Sequence, residues 1–178
     1  MKRYLFRDMS VILLISVILI SAEKKGMLFG GKEDVQFAES MWKAMKGYDQ
    51  WRMKSTFYPG ISPHGKILRL YYNIVDLNGK PYHVIIKDNY GGKNADVNTV
   101  AKSPDEYLMA VTIMVQRKPG YDPENNDWFW AKYLKDGSLA KTSMGVAMAG
   151  RVAEGTDAGC IACHKKAGGG DYMFTNDG

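Results

Sequence analysis

Soft metal ligands are scarce in this 178-residue chain, which holds two cysteines and three histidines. A structural zinc site needs four ligands, and His64 and His83 lie in segments unrelated to the cysteines, so that class is excluded. A disulfide between Cys160 and Cys163 closes too small a loop to stabilise much. Internal repeats and low-complexity tracts are absent. Long apolar runs are lacking too. "MSVILLISVILISA", Met9 to Ala22, has 14 residues, short of the roughly 20 that a membrane span needs. With Lys2, Arg3 and Arg7 before it and Ile20 and Ala22 as an imperfect cleavage pair, it reads as a secretory signal. An uncleaved membrane anchor is the alternative, and either places the folded part outside the cytoplasm, in a periplasm or its equivalent. Excess positive charge is also small. Net charge is +5, and removing residues 1–22, with three cations and one anion, lowers it to +3, so a nucleic-acid partner is not expected.

What remains is an ordinary globular composition, 46% hydrophobic and 24% charged, rich in aromatic rings, and long enough for one domain with a core. The expected organisation is a signal over 1–22, a linker over 23–33 and one domain over 34–178. Val35, Ala38, Met41, Trp42 and Met45 recur at helical spacing, with Asp34 as the expected N-cap and Gly47 as the stop. Beyond Tyr58 the period changes to two. "KILRLYYNIV" (66–75), "YHVIIKDNY" (82–90), "YLMAVTIMVQR" (107–117) and "DWFWAKYL" (127–134) read as strands between Gly-, Pro-, Asn- and Asp-rich turns. Asn78-Gly79 signals a tight hairpin. No long helical crossover separates the strands, so the fold class is mainly β (α+β): an antiparallel sheet with an N-terminal helix and a C-terminal helix. From about Ser138 the chain turns small and flexible and delivers the cysteine segment back onto the sheet.

That segment carries the chemistry. Cys160, Ile161, Ala162, Cys163 and His164 form C-x-x-C-H, the attachment signature of c-type haem. On one helical turn two thiols three residues apart reach the two vinyl groups of one porphyrin, and the adjoining imidazole becomes the axial iron ligand. Export fits, because c-type haem is attached outside the cytoplasm. A thioredoxin-like pair would sit in a βαβ context, not in a glycine-terminated tail. Only 14 residues follow His164, with Met173 the sole methionine among them, so a sixth ligand must come from the preceding domain. Iron with one protein ligand and an open face binds or transforms small molecules.

Taken together, "PHGKILRLYYN" (63–73), "HVIIKDNY" (83–90), "VTIMVQRKPGYDPENNDWFWAKY" (111–133) and "CIACHKKAGGGDYMF" (160–174) resemble the cytochrome P-460 family, which includes cytochrome c-prime-beta. The resemblance covers roughly Met41 to Phe174. It implies an antiparallel β domain, usually a homodimer, binding one covalent five-coordinate haem c per chain. Its P-460 branch oxidises hydroxylamine and passes electrons to a partner cytochrome. There a lysine amine is bonded to the porphyrin edge, and Lys87 in "IIKDN" fits that place, with a solvated strand lysine as the alternative.

Phe57 matches the aromatic that caps the iron in family members; an ordinary core position is the alternative. Ala110, Thr112 and Met114 share the face expected to line the distal pocket. Hydroxylamine-oxidising members carry a carboxylate there, but no Asp or Glu lies between Tyr107 and Gln116, so proton removal falls to water, Thr112 or a distant carboxylate. Arg69 is placed against a haem propionate, on a neighbouring loop or in a salt bridge. His64 reads as a turn organiser and His83 as a partly exposed strand residue. Three functions follow: an oxidoreductase acting on hydroxylamine or a related nitrogen species, a nitric oxide-binding cytochrome without turnover, and simple electron transfer with a Met or Lys sixth ligand.

Overall fold

The computed structural model describes residues 29–154 and 159–174. The signal over 1–22 and the joint through residue 28 lie outside the described residues. Of the expected linker, Phe29 bridges Gly150 at the edge of the sheet and Lys32 already opens helix α1 (Lys32–Ala44). Gly31, not Asp34, occupies the N-cap, and no side chain caps the helix. Asp34 sits in the first turn, where a carboxylate favours the positive helix end, and accepts a hydrogen bond from Tyr121 Oη at 3.3 Å. Any side chain at Gly150 (φ 108°) would run into that carboxylate.

Six antiparallel strands form one meander in chain order: β1 (Tyr58–Pro59), β2 (Ile67–Leu77), β3 (Lys80–Tyr90), β4 (Leu108–Gln116), β5 (Trp128–Leu134) and β6 (Ala149–Gly150). Two short helices, α2 (Val97–Lys102) and α3 (Pro104–Tyr107), join β3 to β4. Asn78 and Gly79 adopt φ of 56° and 74°, the left-handed pair that suits a two-residue hairpin loop. That turn sets the register: Leu77 pairs with Lys80, and counting back pairs Leu70 with Lys87 and Arg69 with Asp88.

Side chains alternate across the sheet, so each strand serves two faces. One face packs on α1. Tyr71, Val75, Val84, Ile86, Val111, Ile113, Val115, Phe129 and Tyr133 meet Ala38, Met41 and Met45 there in the main core. Tyr133 Oη reaches through it to donate to the Ala38 carbonyl at 2.8 Å. This face also buries one acid. Asp88, 3% exposed, accepts from Tyr48 Oη at 2.7 Å and Tyr90 Oη at 2.8 Å. Burial raises its pKa, against the pull of the tyrosine hydroxyls. On the opposite face Met114, Trp128 and Trp130 pack under Val152, Ile161 and Tyr172, so the C-terminal segment covers it.

Candidate haem site

The covering segment begins with the five-residue helix α4 (Cys160–His164). Gly159 opens it with φ 123°, pressed so close to Ala153 that a Cβ would collide. After His164 the glycines explain themselves: Gly169 and Gly170 take φ of 79° and 73°, reversing the chain within a few residues. The reversed tail is fastened to the sheet. Trp128 Nε1 donates to Asp171 O at 3.1 Å, and Tyr172 Oη donates to Glu124 O at 3.1 Å. These bonds carry the Tyr172 carbonyl to within 2.6 Å of His164 Nδ1. A carbonyl only accepts, so the Nδ1 of His164 holds the proton and Nε2 keeps its lone pair. Burial lowers the His164 pKa, which keeps the ring neutral and its lone pair available.

Between α4 and the sheet lies a cleft lined by His64, Ile85, Lys87, Thr112, Met114, Trp130, Cys160 and His164. Ile85, Lys87, Thr112, Met114 and Trp130 belong to the non-α1 face, with Lys87 opposite Thr112 and Ile85 opposite Met114, while Ile113 and Ala131 of the main core also border the cleft. Lys87 is half-buried, and desolvation lowers its pKa, with the cysteines opposing the shift. A larger share of its amines is therefore nucleophilic at neutral pH. The Cys160 thiol is pushed up to about 11 by burial. Both cysteines are free; Cys160 is half-buried and Cys163 exposed. Trp130 sets its ring edge-on to His164, centroids 4.7 Å apart.

Of the expected site residues, the fold brings Lys87, Thr112, Cys160 and His164 together on this cleft, with Cys163 on the same helical turn. Three others lie elsewhere. Phe57 packs with Ile67, Tyr90 and Val100 and meets the Tyr90 ring at 5.5 Å. That is the cluster at the end of the α1 side, so a capping role does not follow from its position. Arg69 shares a face with Asp88 by register, on the far side of the sheet from Lys87. Its guanidinium lies 4.5 Å from the Phe57 ring centre, and Nε donates to Ser55 O at 3.2 Å, so it holds the neighbouring loop; among the described residues it makes no salt bridge. Ala110 is buried one pair beyond the cleft, where its carbonyl accepts from Asn89 Nδ2 at 3.2 Å.

His64 is the residue that sequence reasoning misplaced. Its turn is real, closed by His64 N donating to Ile61 O at 2.9 Å. That turn is pressed onto the end of β3, where a Cβ on Gly65 would meet the Tyr90 backbone. His64 thereby enters the cleft, with Nδ1 2.8 Å from Asn89 Oδ1. Its pKa falls to about 4 through burial first and the Lys87 charge second. Trp130 was legible only as part of an aromatic strand.

The donor set decides what the cleft fits. Among the described residues no group of three or more His, Cys, Asp or Glu is arranged for a bare ion. An apolar wall of Ile85, Met114 and Trp130, one unprotonated imidazole nitrogen and two free thiols suit a porphyrin instead. The Trp130 indole N–H is buried without an acceptor, which costs about 1–3 kcal/mol unless an occupant such as a porphyrin carboxylate supplies one. The residues fit haem. Nothing matches among curated proteins or among solved structures. The family model described as Cytochrome P460 matches residues 45–175, a stretch that runs from the end of α1 through every strand of the meander and past His164. The chain belongs to the cytochrome P460 family of haem cytochromes.

Proposed function

We propose that this is an exported cytochrome with one haem c, held by thioethers from Cys160 and Cys163 and by His164 Nε2, that oxidises hydroxylamine or a related small nitrogen species. The observation that carries the proposal is the clustering, in one cleft, of a neutral and backbone-locked His164, a desolvated Lys87 amine and a second neutral imidazole, His64. When bound, the haem would be held by Cys160, Cys163 and His164 and would supply an iron that binds a lone-pair donor and takes up electrons.

The chain's own residues do the rest. Tyr172 O fixes the His164 proton on Nδ1 and aims the other nitrogen. Lys87 lies where an amine can bond the porphyrin edge, which links the ring to β3 and alters it electronically. His64 supplies the proton acceptor that β4 lacks: with Nδ1 committed to Asn89, Nε2 is free to take a proton from an N–H or O–H of the substrate. Ile85, Met114 and Trp130 exclude bulk water. Electrons leave to a partner cytochrome, and two chains associate as a homodimer in the periplasm.

The lining residues include no carboxylate, which favours a second reading, nitric oxide binding without turnover. Anaerobic hydroxylamine with a dye acceptor separates the two. Catalytic dye reduction is expected; stable nitric oxide binding without dye reduction establishes the second reading. A red-shifted ferrous Soret band that Lys87→Leu abolishes marks the cross-link, and a band that survives this substitution removes Lys87 from that role.

A further inference from the structure

The loop over 117–127, between β4 and β5, is built around one buried acid. Asp122 is 2% exposed, and both of its carboxylate oxygens accept from Asn125 Nδ2 at 2.8 Å. Its backbone oxygen accepts from Asn125 N and Asp127 N, each at 2.9 Å. Asp127 Oδ1 closes the loop from the other side, accepting from Asp122 N at 2.8 Å and Gly120 N at 3.1 Å. Asn125 is wholly buried, so its amide cannot turn to water. With Nδ2 committed to the carboxylate, Oδ1 is left for Tyr172 Oη, 3.3 Å away.

Tyr172 itself stands in an unusual backbone state. Its φ is 66°, in the left-handed region that a bulky residue keeps only when its surroundings compel it. Those surroundings lie at the far end of its side chain. There the single hydroxyl proton is shared between Glu124 O at 3.1 Å and Asn125 Oδ1 at 3.3 Å, both on the same loop. At its other end the Tyr172 carbonyl takes the Nδ1 proton of His164 at 2.6 Å. One residue thus joins a loop that does not line the cleft to the histidine that does. A hydrogen bond from the far nitrogen of a metal-bound imidazole orients the ring and makes its other nitrogen a stronger donor.

We infer that Asn125 and Tyr172 are positioning residues for His164, setting through the Tyr172 carbonyl how strongly the imidazole donates to iron and how far iron(III) is favoured over iron(II). The inference rests on the haem assignment proposed above, though not on the reaction. The tail has other fasteners. Trp128 Nε1 donates to Asp171 O at 3.1 Å and Asn126 Nδ2 to Gly170 O at 2.6 Å, but both grip peptide groups that precede the Tyr172 Cα. The hydroxyl bonds act on Tyr172 directly and hold it in the conformation that points its carbonyl at His164. Without them the left-handed backbone relaxes, and the Nδ1 proton of His164 loses its acceptor. Nε2 is then a weaker donor. That loss falls more heavily on iron(III) than on iron(II), because the higher charge gains more from a donated lone pair.

Redox titration and resonance Raman spectra of the holoprotein test this. Tyr172→Phe keeps the ring and removes the hydroxyl. It is expected to shift the reduction equilibrium against a reference dye roughly tenfold towards iron(II), and to lower the ferrous iron–imidazole stretching frequency. Asn125→Leu, which keeps bulk and removes the amide, is expected to move both readings the same way but less, since Glu124 O still accepts from the hydroxyl. Asn126→Gly loosens the tail at Gly170, spares Tyr172 and suits the left-handed φ of 55° found there, so it is expected to leave both readings unchanged. Lost thermal stability with an unmoved potential and an unmoved stretching band in Tyr172→Phe or Asn125→Leu overturns the inference while leaving the haem assignment intact. An equal shift from Asn126→Gly overturns it as well, since any loosening of the tail would then suffice. Unsubstituted protein that carries no haem overturns both this inference and the proposed function.

Discussion

The two faces of the sheet are made by the same strands through the same alternation, yet they are held together differently. The α1 face is closed by apolar volume, and its single acid, Asp88, is satisfied by tyrosine hydroxyls. The α4 face gathers His64, Lys87, Asn89, Thr112 and His164 around an apolar wall and leaves the Trp130 N–H without an acceptor. One face is complete as it stands. The other has a buried N–H whose partner is missing from the polypeptide, as a face built to take a cofactor would. Stability therefore belongs chiefly to the first face and function to the second.

The most forceful way to break this division is to hollow out the α1 face. Phe129, fully buried against Phe37, should cost about 3–5 kcal/mol on truncation to Ala, read by urea denaturation, with the haem spectrum of the folded fraction unchanged. His164→Ala should do the reverse, losing the axial ligand while costing the haem-free chain only about 1 kcal/mol for the unpaired Tyr172 carbonyl. Equal losses from both substitutions would erase the distinction between the faces.

A smaller effect is expected at Asp88. Asp88→Leu strips the acceptor from one buried and one half-buried tyrosine hydroxyl and should cost about 2–3 kcal/mol, again without spectral change. Trp130→Phe sharpens the comparison further. In haem-free protein it removes an unsatisfied N–H and should shift stability by less than about 1 kcal/mol, whereas in loaded protein the cost should be larger. An equal cost in both forms would mean that no occupant accepts from that indole.

The smallest effect is in pH. Burial raises the Asp88 pKa, so between the ordinary carboxylate value and the raised one the folded chain keeps a proton that the unfolded chain has lost. Stability falls as pH rises across that window. Neutral His64, pushed down to about 4, acts in the opposite sense between there and its ordinary value. The difference between the unsubstituted protein and Asp88→Asn isolates the acid. It should grow in favour of Asp88→Asn as pH rises through the window, and a flat difference would contradict the assignment.

Much of this architecture was legible from the chain because its signals are local. Period-two runs bounded by turn residues located β2, β3, β4 and β5 within a few residues, and Asn78-Gly79 fixed their first hairpin. The five-residue haem signature stood out for the same reason. Asp34 failed as an N-cap because the helix starts two residues earlier, at Lys32, which leaves Asp34 inside the first turn. The place of Arg69 was also countable: counting pairs outward from the hairpin sets it opposite Asp88 and away from Lys87. His64 was not readable in this way. What brings it to the cleft is a hydrogen bond to Asn89, a residue 25 positions on whose own orientation is set by carbonyls of two strands.

The claim on which the account turns is that the cleft under α4 holds a single haem bonded to the tail. Intact-mass measurement of the exported protein under denaturing conditions tests it directly. The mass should exceed that of the polypeptide by one haem, and the excess should vanish when Cys160, Cys163 and Lys87 are all replaced by Ala. A denatured chain whose mass equals the bare polypeptide would contradict the account.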